Sequence, residues 1–248
     1  MISRSRVLAM LATAAAGSSL EPAGAQNGPD KLVVAGVPTE DATNMYWAVK
    51  TGFFLKAGLD VEMVNTSSGA AATTAMIAGT YQIARPSLFA VMLAHVRGID
   101  VRCISAANLH DARNPMALLQ VASDAAIRSG SDLNGKTIGI PALNDLNTVA
   151  VRAWIDKNGG DWRSLKFVEM PNSAMVPAMQ AHRIDAAILQ SPFIWTSLAE
   201  GSTRTLGDAW GAIAPRFLSG VNASRADCLG GQFKLYQPRA LQNVPARA

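Results

Sequence analysis

The apolar positions of this 248-residue chain fall in short runs, each closed by Pro, by Gly or by a cluster of Ser, Thr and Asn. Lys31 to Val37 is β-branched and apolar and stops at Pro38, which predicts a buried first strand. Thr43 or Asn44 then caps a helix running through Tyr46, Trp47 and Val49 towards Gly52. Val61 to Val64 reads as a second strand. The polar run from Asn65 to Gly69 opens a helix over Ala70 to Ala78, stopped by Gly79. Gln82 to Arg85 is a short third strand ended by Pro86. Ser87 caps a helix with Leu88, Val91, Met92 and His95 at helical spacing, and Val101 to Ser105 is a fourth strand. Strands and helices that alternate in this way predict an α/β layer with a largely parallel sheet.

The rhythm breaks over Asn108 to Pro115 and then resumes. Met116 to Val121 and Thr137 to Ile140 read as strands. A helix starting at Asn147 or Thr148 carries Val149, Ala150, Ala153 and Trp154 and stops at Gly159-Gly160. Lys166 to Met170 is a strand, Asn172 or Ser173 caps a helix to Ala181, and Ala186 to Leu189 is a strand ended near Pro192. A last helix runs through Trp195 and Leu198. The same strand-helix grammar is used twice with a break between, which predicts two lobes; residue identities do not align as a tandem repeat.

The N-terminus changes the picture of compartment. Arg4 and Arg6, then the apolar or small run Val7 to Ala16 (Thr13 excepted), then Ala23-Gly24-Ala25 before Gln26, follow the plan of a cleaved secretory signal peptide over residues 1–25. The apolar run is too short to span a bilayer of ~30 Å as a helix. The formal net charge of +4, with no block of Lys or Arg, argues against nucleic acid as a partner. Cys103 and Cys228 are the only cysteines. Cys103 sits in an apolar strand-like run and reads as a buried free thiol. Three scattered histidines and no Cys-x-x-Cys give no metal site. His95 and His182 read as structural. His110, in the break beside Asp111, reads as a solvated loop residue, with a pH-sensitive hinge contact as the alternative. No nucleophile elbow, phosphate-binding loop or His-Glu-x-x-His pair is present, and no cofactor is expected.

Several strands run directly into Ser-, Thr-, Asn- or Gly-containing loops that open helices. In α/β sheets small ligands bind outside the carboxyl ends of the strands. Helix N-termini there present unpaired N–H groups and partial positive charge. A cleft between two such lobes therefore suits an anionic or strongly polar small molecule.

Gly52-Phe53-Phe54-Leu55-Lys56-Ala57-Gly58-Leu59-Asp60-Val61-Glu62, then Ser68-Gly69 with Ala75 to Gly79, Asp132 to Gly139, Arg183-Ile184-Asp185-Ala186-Ala187 and Ser191-Pro192-Phe193 carry a resemblance. In this order the chain resembles the periplasmic substrate-binding proteins of ABC importers, in the branch for aliphatic sulfonates, taurine, nitrate and thiamine-pyrimidine precursors. The resemblance covers roughly residues 31–218. It implies a type II-like periplasmic binding protein fold of two α/β lobes around a ligand cleft: 26–107 with 207–227 as lobe 1, 108–206 as lobe 2, and 228–248 an irregular tail. It implies a monomeric protein that binds a small molecule, does no chemistry of its own and delivers its ligand to a membrane permease.

It also moves the ligand positions onto the loops above. In the first lobe these are Thr39, Asn44, Tyr46, Trp47, Ser67, Ser68, Gly69 and Ser87. In the second they are Asn144, Asn147, Thr148, Asn172, Ser173, Gln190 and Ser191. Ser67, Ser87 and Ser173 equally suit plain helix caps, and Trp47 a core position under the first helix. Two departures from the family pattern stand out. Gln82 occupies a position usually held by Asp, which removes a partner for a cationic ligand. After Asp227, Gly230-Gly231, Pro238 and Pro245 show no helical period where the family has further helices, so apparently truncated C-terminal helices and marginal stability are expected, with melting below ~65 °C. Two other readings share the pattern: a thiamine-pyrimidine synthase-like enzyme, and an exported binding subunit that feeds a sensor.

Overall fold

A computed structural model describes residues 29–228. The expected signal peptide and nearly all of the expected tail lie outside the described residues.

Two five-stranded sheets organise the chain. The first has β1 (Asp30–Gly36), β2 (Leu59–Asn65), β3 (Ile83–Ala84), β4 (Val101–Asp111) and β10 (Arg216–Arg225) in the order β2-β1-β3-β10-β4. The second has β5 (Ala117–Ala122), β6 (Thr137–Ile140), β7 (Lys166–Glu169), β8 (Ala186–Gln190) and β9 (Thr203–Gly207) in the order β7-β6-β8-β5-β9. Among the described residues two connections join the sheets, residues 112–116 and 208–215. Seven helices connect the strands: α1 (Thr43–Lys50), α2 (Phe53–Lys56), α3 (Gly69–Ile77), α4 (Leu88–Val96), α5 (Leu146–Lys157), α6 (Asn172–Gln180) and α7 (Phe193–Ala199).

Both sheets are mixed, which corrects the largely parallel expectation. β1, β2 and β3 are parallel, but β10 enters antiparallel between β3 and β4. β6 is parallel to β7 and β8, but β5 runs antiparallel to β8 and β9. The antiparallel strands are the ones adjoining the two connections, where the chain changes sheets and returns without a crossover helix.

Strand alternation builds the core. In β5, which is buried throughout, Ala117, Leu119 and Val121 face α5 and Trp210, while Leu118 and Ala122 face α6 and α7. Gln120 falls on the second face. It is fully buried, and its side-chain oxygen accepts from Ser197 Oγ (3.1 Å) and from Thr203 Oγ1. The first sheet buries Ala35, Ala84, Val221 and Ala223 under α3 and α4, and Leu32, Val34 and Val61 under α1 and α2. Packing is tight at Gly207, where an added Cβ would lie 2.4 Å from Trp154 Nε1, and Trp154 is itself held in the core. Gly207→Ala is therefore expected to lower stability by about 1–3 kcal/mol, the usual cost of overpacking. A denaturant midpoint equal to wild type would contradict that packing.

Three local expectations are corrected, and the free-thiol reading of Cys103 holds. The fourth strand does not end at Ser105 but continues to Asp111, through residues expected in a polar break. Cys103 is exposed, not buried, because β4 is an edge strand with most of its length uncovered. Cys103 and Cys228 are both free thiols. His110, expected in a solvated loop, is fully buried at the end of β4.

Candidate functional site

The carboxyl ends of β1, β3, β6 and β8 face each other between the two sheets, and a polar hollow lies there. Its main cavity is about 60 Å³ and adjoins a smaller one of about 10 Å³. At ~10–15 Å³ per enclosed water, this space holds a handful of waters or a small polar group. Three helix N-termini border it: α3 through Gly69 and Ala70, α4 through Ser87 and Ala90, and α5 through Leu146 and Asn147. Their unpaired N–H groups give the cleft a lining of donors. A backbone bond from Glu40 N to Ser191 O (2.9 Å) ties the two sides beside the cavity. A hollow of about 520 Å³ lies elsewhere, over β1 and β2 next to Tyr46 and Val49. It sits on one sheet alone, away from the strand ends where helix N-termini converge, so the smaller inter-sheet cleft is the better site.

Of the expected positions, Thr39, Gly69, Ser87, Asn147 and Gln190 line the main cavity, and Ser191 lines the smaller one with Thr39 and Gln190. Ser191 is 2 % exposed and its hydroxyl has no hydrogen-bond partner. Ser87 also caps α4, accepting from Ala90 N at 3.2 Å. Ser68 caps α3 and accepts from Ala71 N at 3.1 Å, without lining the cavity.

The remaining expected positions do not line it. Trp47 is 61 % exposed, so it is not a core residue, and it lies outside the cavity lining. Tyr46 donates to Asn65 and lines the hollow over β1 and β2. Asn44, Ser67, Asn144 and Ser173 are exposed outside the cavity lining. Neither Thr43 nor Asn44 caps α1: a short 3-10 turn, Glu40–Ala42, leads into it and Ala42 holds the N-cap position. Thr148 is buried, and its hydroxyl donates to Ala142 O (2.9 Å). Asn172 is buried and clamps Gln190, accepting from Gln190 N (3.1 Å) and donating to its side-chain oxygen (3.2 Å). It thereby positions a cavity residue, while α6 has no side-chain cap. Gln82 does not face the cleft chemistry, since its oxygen accepts from Val33 N at 2.9 Å within the first sheet.

The structure adds residues that the sequence reading missed: Asp41, Arg85, Asn108, Asp145 and Trp210. Asp145 caps α5, in place of the expected Asn147 or Thr148. Its carboxylate accepts from Thr148 N (3.0 Å) and Asn147 Nδ2 (3.0 Å), and burial pushes its pKa up against those bonds. An Asp three residues before Thr148 at the head of an apolar helix was a usable cap signal. Trp210, 4 % exposed, donates its indole N–H to Asn147 Oδ1 at 3.0 Å. Asn108 donates to Asp41 Oδ2 at 2.7 Å. Nothing local marked Asn108 or Trp210, because pairing of β4 with β10 and the second connection between the sheets bring them to the cleft from far along the chain. Among the described residues no group of three or more His, Cys, Asp or Glu could hold a metal ion, and no helix is long and apolar enough to cross a membrane.

Two α/β sheets with a donor-lined cleft between them define the fold class, and comparisons with known proteins place the chain in a family. The sequence profile described as NMT1/THI5 like matches residues 39–200, and the chain belongs to that family. A formylaminopyrimidine-binding protein of Halalkalibacterium halodurans is 25% identical over 133 residues, covering 54% of this chain and 39% of that protein. The chain thus spans about two-fifths of the length of this curated relative. Among solved structures, the alkanesulfonate-binding protein SsuA of Xanthomonas axonopodis, bound to MOPS, superposes with a TM-score of 0.70 at 16% identity, covering 85% of this chain and 70% of that one. The periplasmic nitrate-binding protein NrtA of Synechocystis gives 0.64 at 12% identity, covering 82% and 57%. The fold is that of the periplasmic binding proteins, as the sequence resemblance implied.

Proposed function

We propose that this protein is the solute-capturing component of an ABC importer, which binds a small polar or anionic molecule between its two sheets and passes it to a membrane permease without transforming it. The single observation that carries this reading is the convergence of three helix N-termini, a buried hydroxyl without a partner and side-chain amides on two adjoining inter-sheet cavities. Family membership and the printed ligands of the similar proteins support it, and they point to sulfonate-, nitrate- or pyrimidine-precursor-like solutes. The two sheets would act as lobes that hinge at residues 112–116 and 208–215. A periplasmic location and a monomeric state complete the proposal.

A thermal-shift screen of the purified protein against sulfonates, nitrate, carboxylates and aminopyrimidines tests it. A true ligand at 100 times its Kd adds about 2.7 kcal/mol to stability. At roughly 2–4 °C per kcal/mol for a domain of this size, the melting point is expected to rise by about 5–10 °C. Consumption of the bound compound by the protein alone would sink the non-enzymatic reading.

A further inference from the structure

The cleft contains a buried guanidinium that makes no direct ion pair among the described residues. Arg85 follows β3 directly, its backbone N–H bonded to Ala35 O at 2.9 Å, and its side chain lines the main cavity at 7 % exposure. Gly36 makes room for it: an added Cβ there would stand 3.2 Å from Arg85 Cδ. The guanidinium donates from Nη1 to Asn222 Oδ1 (2.9 Å), and from Nη2 to Asp41 O (2.6 Å) and to Asn108 Oδ1 (3.4 Å). All three acceptors are neutral amide oxygens. Among the described residues no carboxylate oxygen comes within 4.0 Å of it.

A buried guanidinium is costly unless it is paired and hydrogen-bonded, and it does not shed its proton in proteins. It carries five N–H groups, and the fold supplies three acceptors. Asp41 is the acidic residue beside it, yet its two carboxylate oxygens are turned to Asn108 Nδ2 (2.7 Å) and Thr39 Oγ1. Burial pushes the Arg85 pKa down, and the fields of Asp41 and Tyr46 offset only part of this. The other acid in the lining, Asp145, has its oxygens engaged by Thr148 and Asn147 at the head of α5. On the Arg85 side the cavity is bordered by the N-termini of α3 and α4, which add positive potential.

We propose that Arg85 sets the ligand class: the cleft takes a small organic or inorganic molecule with an oxyanion head that pairs with the Arg85 guanidinium. This rests on the solute-capture reading and sharpens it from polar to anionic. Among the described residues the Nε–H and one Nη1–H of Arg85 have no acceptor, and an oxyanion would supply one as a charge-assisted bond, stronger than a neutral one.

The test measures binding by calorimetry at pH 7.5 for butanesulfonate, butyrate and nitrate as anions, and for butyramide and 4-aminopyrimidine as neutral probes. The proteins are wild type, Arg85→Gln and Arg85→Lys, each checked for a wild-type circular dichroism spectrum and a cooperative melt. At least one anion is expected to bind wild type, with butyramide weaker than butyrate. Arg85→Gln should weaken anion binding by about 30-fold or more, the effect of removing one partner of a buried charge pair. Arg85→Lys should retain part of it. The readout is the anion-to-neutral ratio, which loss of a merely structural arginine would not change. Neutral probes binding best, with Arg85→Gln unaltered, would overturn the role of Arg85 and leave solute capture standing. No binding of any probe to wild type would count against both.

Discussion

Trp210→Ala is expected to cost about 3–5 kcal/mol of stability, the usual penalty for emptying a buried aromatic site. In a domain of this size that lowers the melting point by roughly 10 °C. Trp210 lies in the second connection between the sheets, 4 % exposed, and joins the core under α5. Its ring meets His110 edge-on at 5.7 Å and Phe217 at 6.3 Å, so the second connection, the end of β4 and the start of β10 share one aromatic cluster. Its N–H also holds Asn147 in the cavity wall. Trp210→Phe keeps most of the packing but leaves Asn147 Oδ1 without its donor, a smaller loss of about 1–3 kcal/mol. Chemical denaturation of both variants separates the two contributions. Equal losses for Ala and Phe would show that the hydrogen bond, and not the ring, carries the effect.

The second large effect is on pH dependence, through His110. The side chain is fully buried, with neither ring nitrogen hydrogen-bonded, and it is flanked by Trp210 and by Phe217 at 5.2 Å. The charged groups around it are Asp208 from the second connection, with Oδ2 3.6 Å from Nε2, and Asp111 on its own strand. Asp111 is held ionised well below the usual carboxylate range, chiefly by its hydrogen bonds from Arg113, so it does not titrate in the same window. Burial lowers the His110 pKa, and the two aspartates oppose that only in part.

The direction of the effect follows from linkage. The unfolded chain takes up this proton near pH 6.5 while the folded protein resists it. Stability is therefore unaffected above both values and falls as pH drops from about 6.5 towards the lower folded value. The slope is at most about 1.4 kcal/mol per pH unit for one proton. Asp145, raised by burial, acts in the opposite sense at lower pH, and a wild-type-to-variant difference cancels it. Melting curves between pH 8 and pH 5 should show wild type losing stability faster than His110→Phe. Parallel curves would mean that the buried imidazole is protonated without cost.

Much of the local structure was legible. Ser87 caps the helix it was expected to cap, the polar run Asn65 to Gly69 opens α3 although Ser68 and not Ser67 is its cap, and β6 occupies its expected residues, because capping groups and Pro or Gly stops act within one turn of the chain. β10 was invisible by the same logic. Its sequence, Arg216 to Arg225, includes Ser219, Gly220, Asn222 and Ser224 and has no clean period of two. It is a strand because β3 and β4 pair with it, and Asn222 and Ser224 are explained by bonds to Arg85 and to the Gln82 carbonyl. The end of β4 was missed for a related reason: Asn108 and His110 look like loop residues but are used by the cleft and the aromatic cluster.

Hydrophobic period, caps and breakers were enough to determine that the chain builds strand-helix units whose helices open on polar loops. Tertiary structure alone decided which of those loops meet. Thr39, Ser87, Asn147 and Gln190 converge, while Asn44, Trp47, Asn144 and Ser173 point elsewhere. Arg85, Asp41 and Asn108 become neighbours only because β10 inserts between β3 and β4 and brings the end of β4 back to the cleft. Propensity and capping act over a few residues. The order of strands is set by pairing between distant segments, in the case of β10 with β3 and β4 more than 100 residues apart, which a local pattern does not encode.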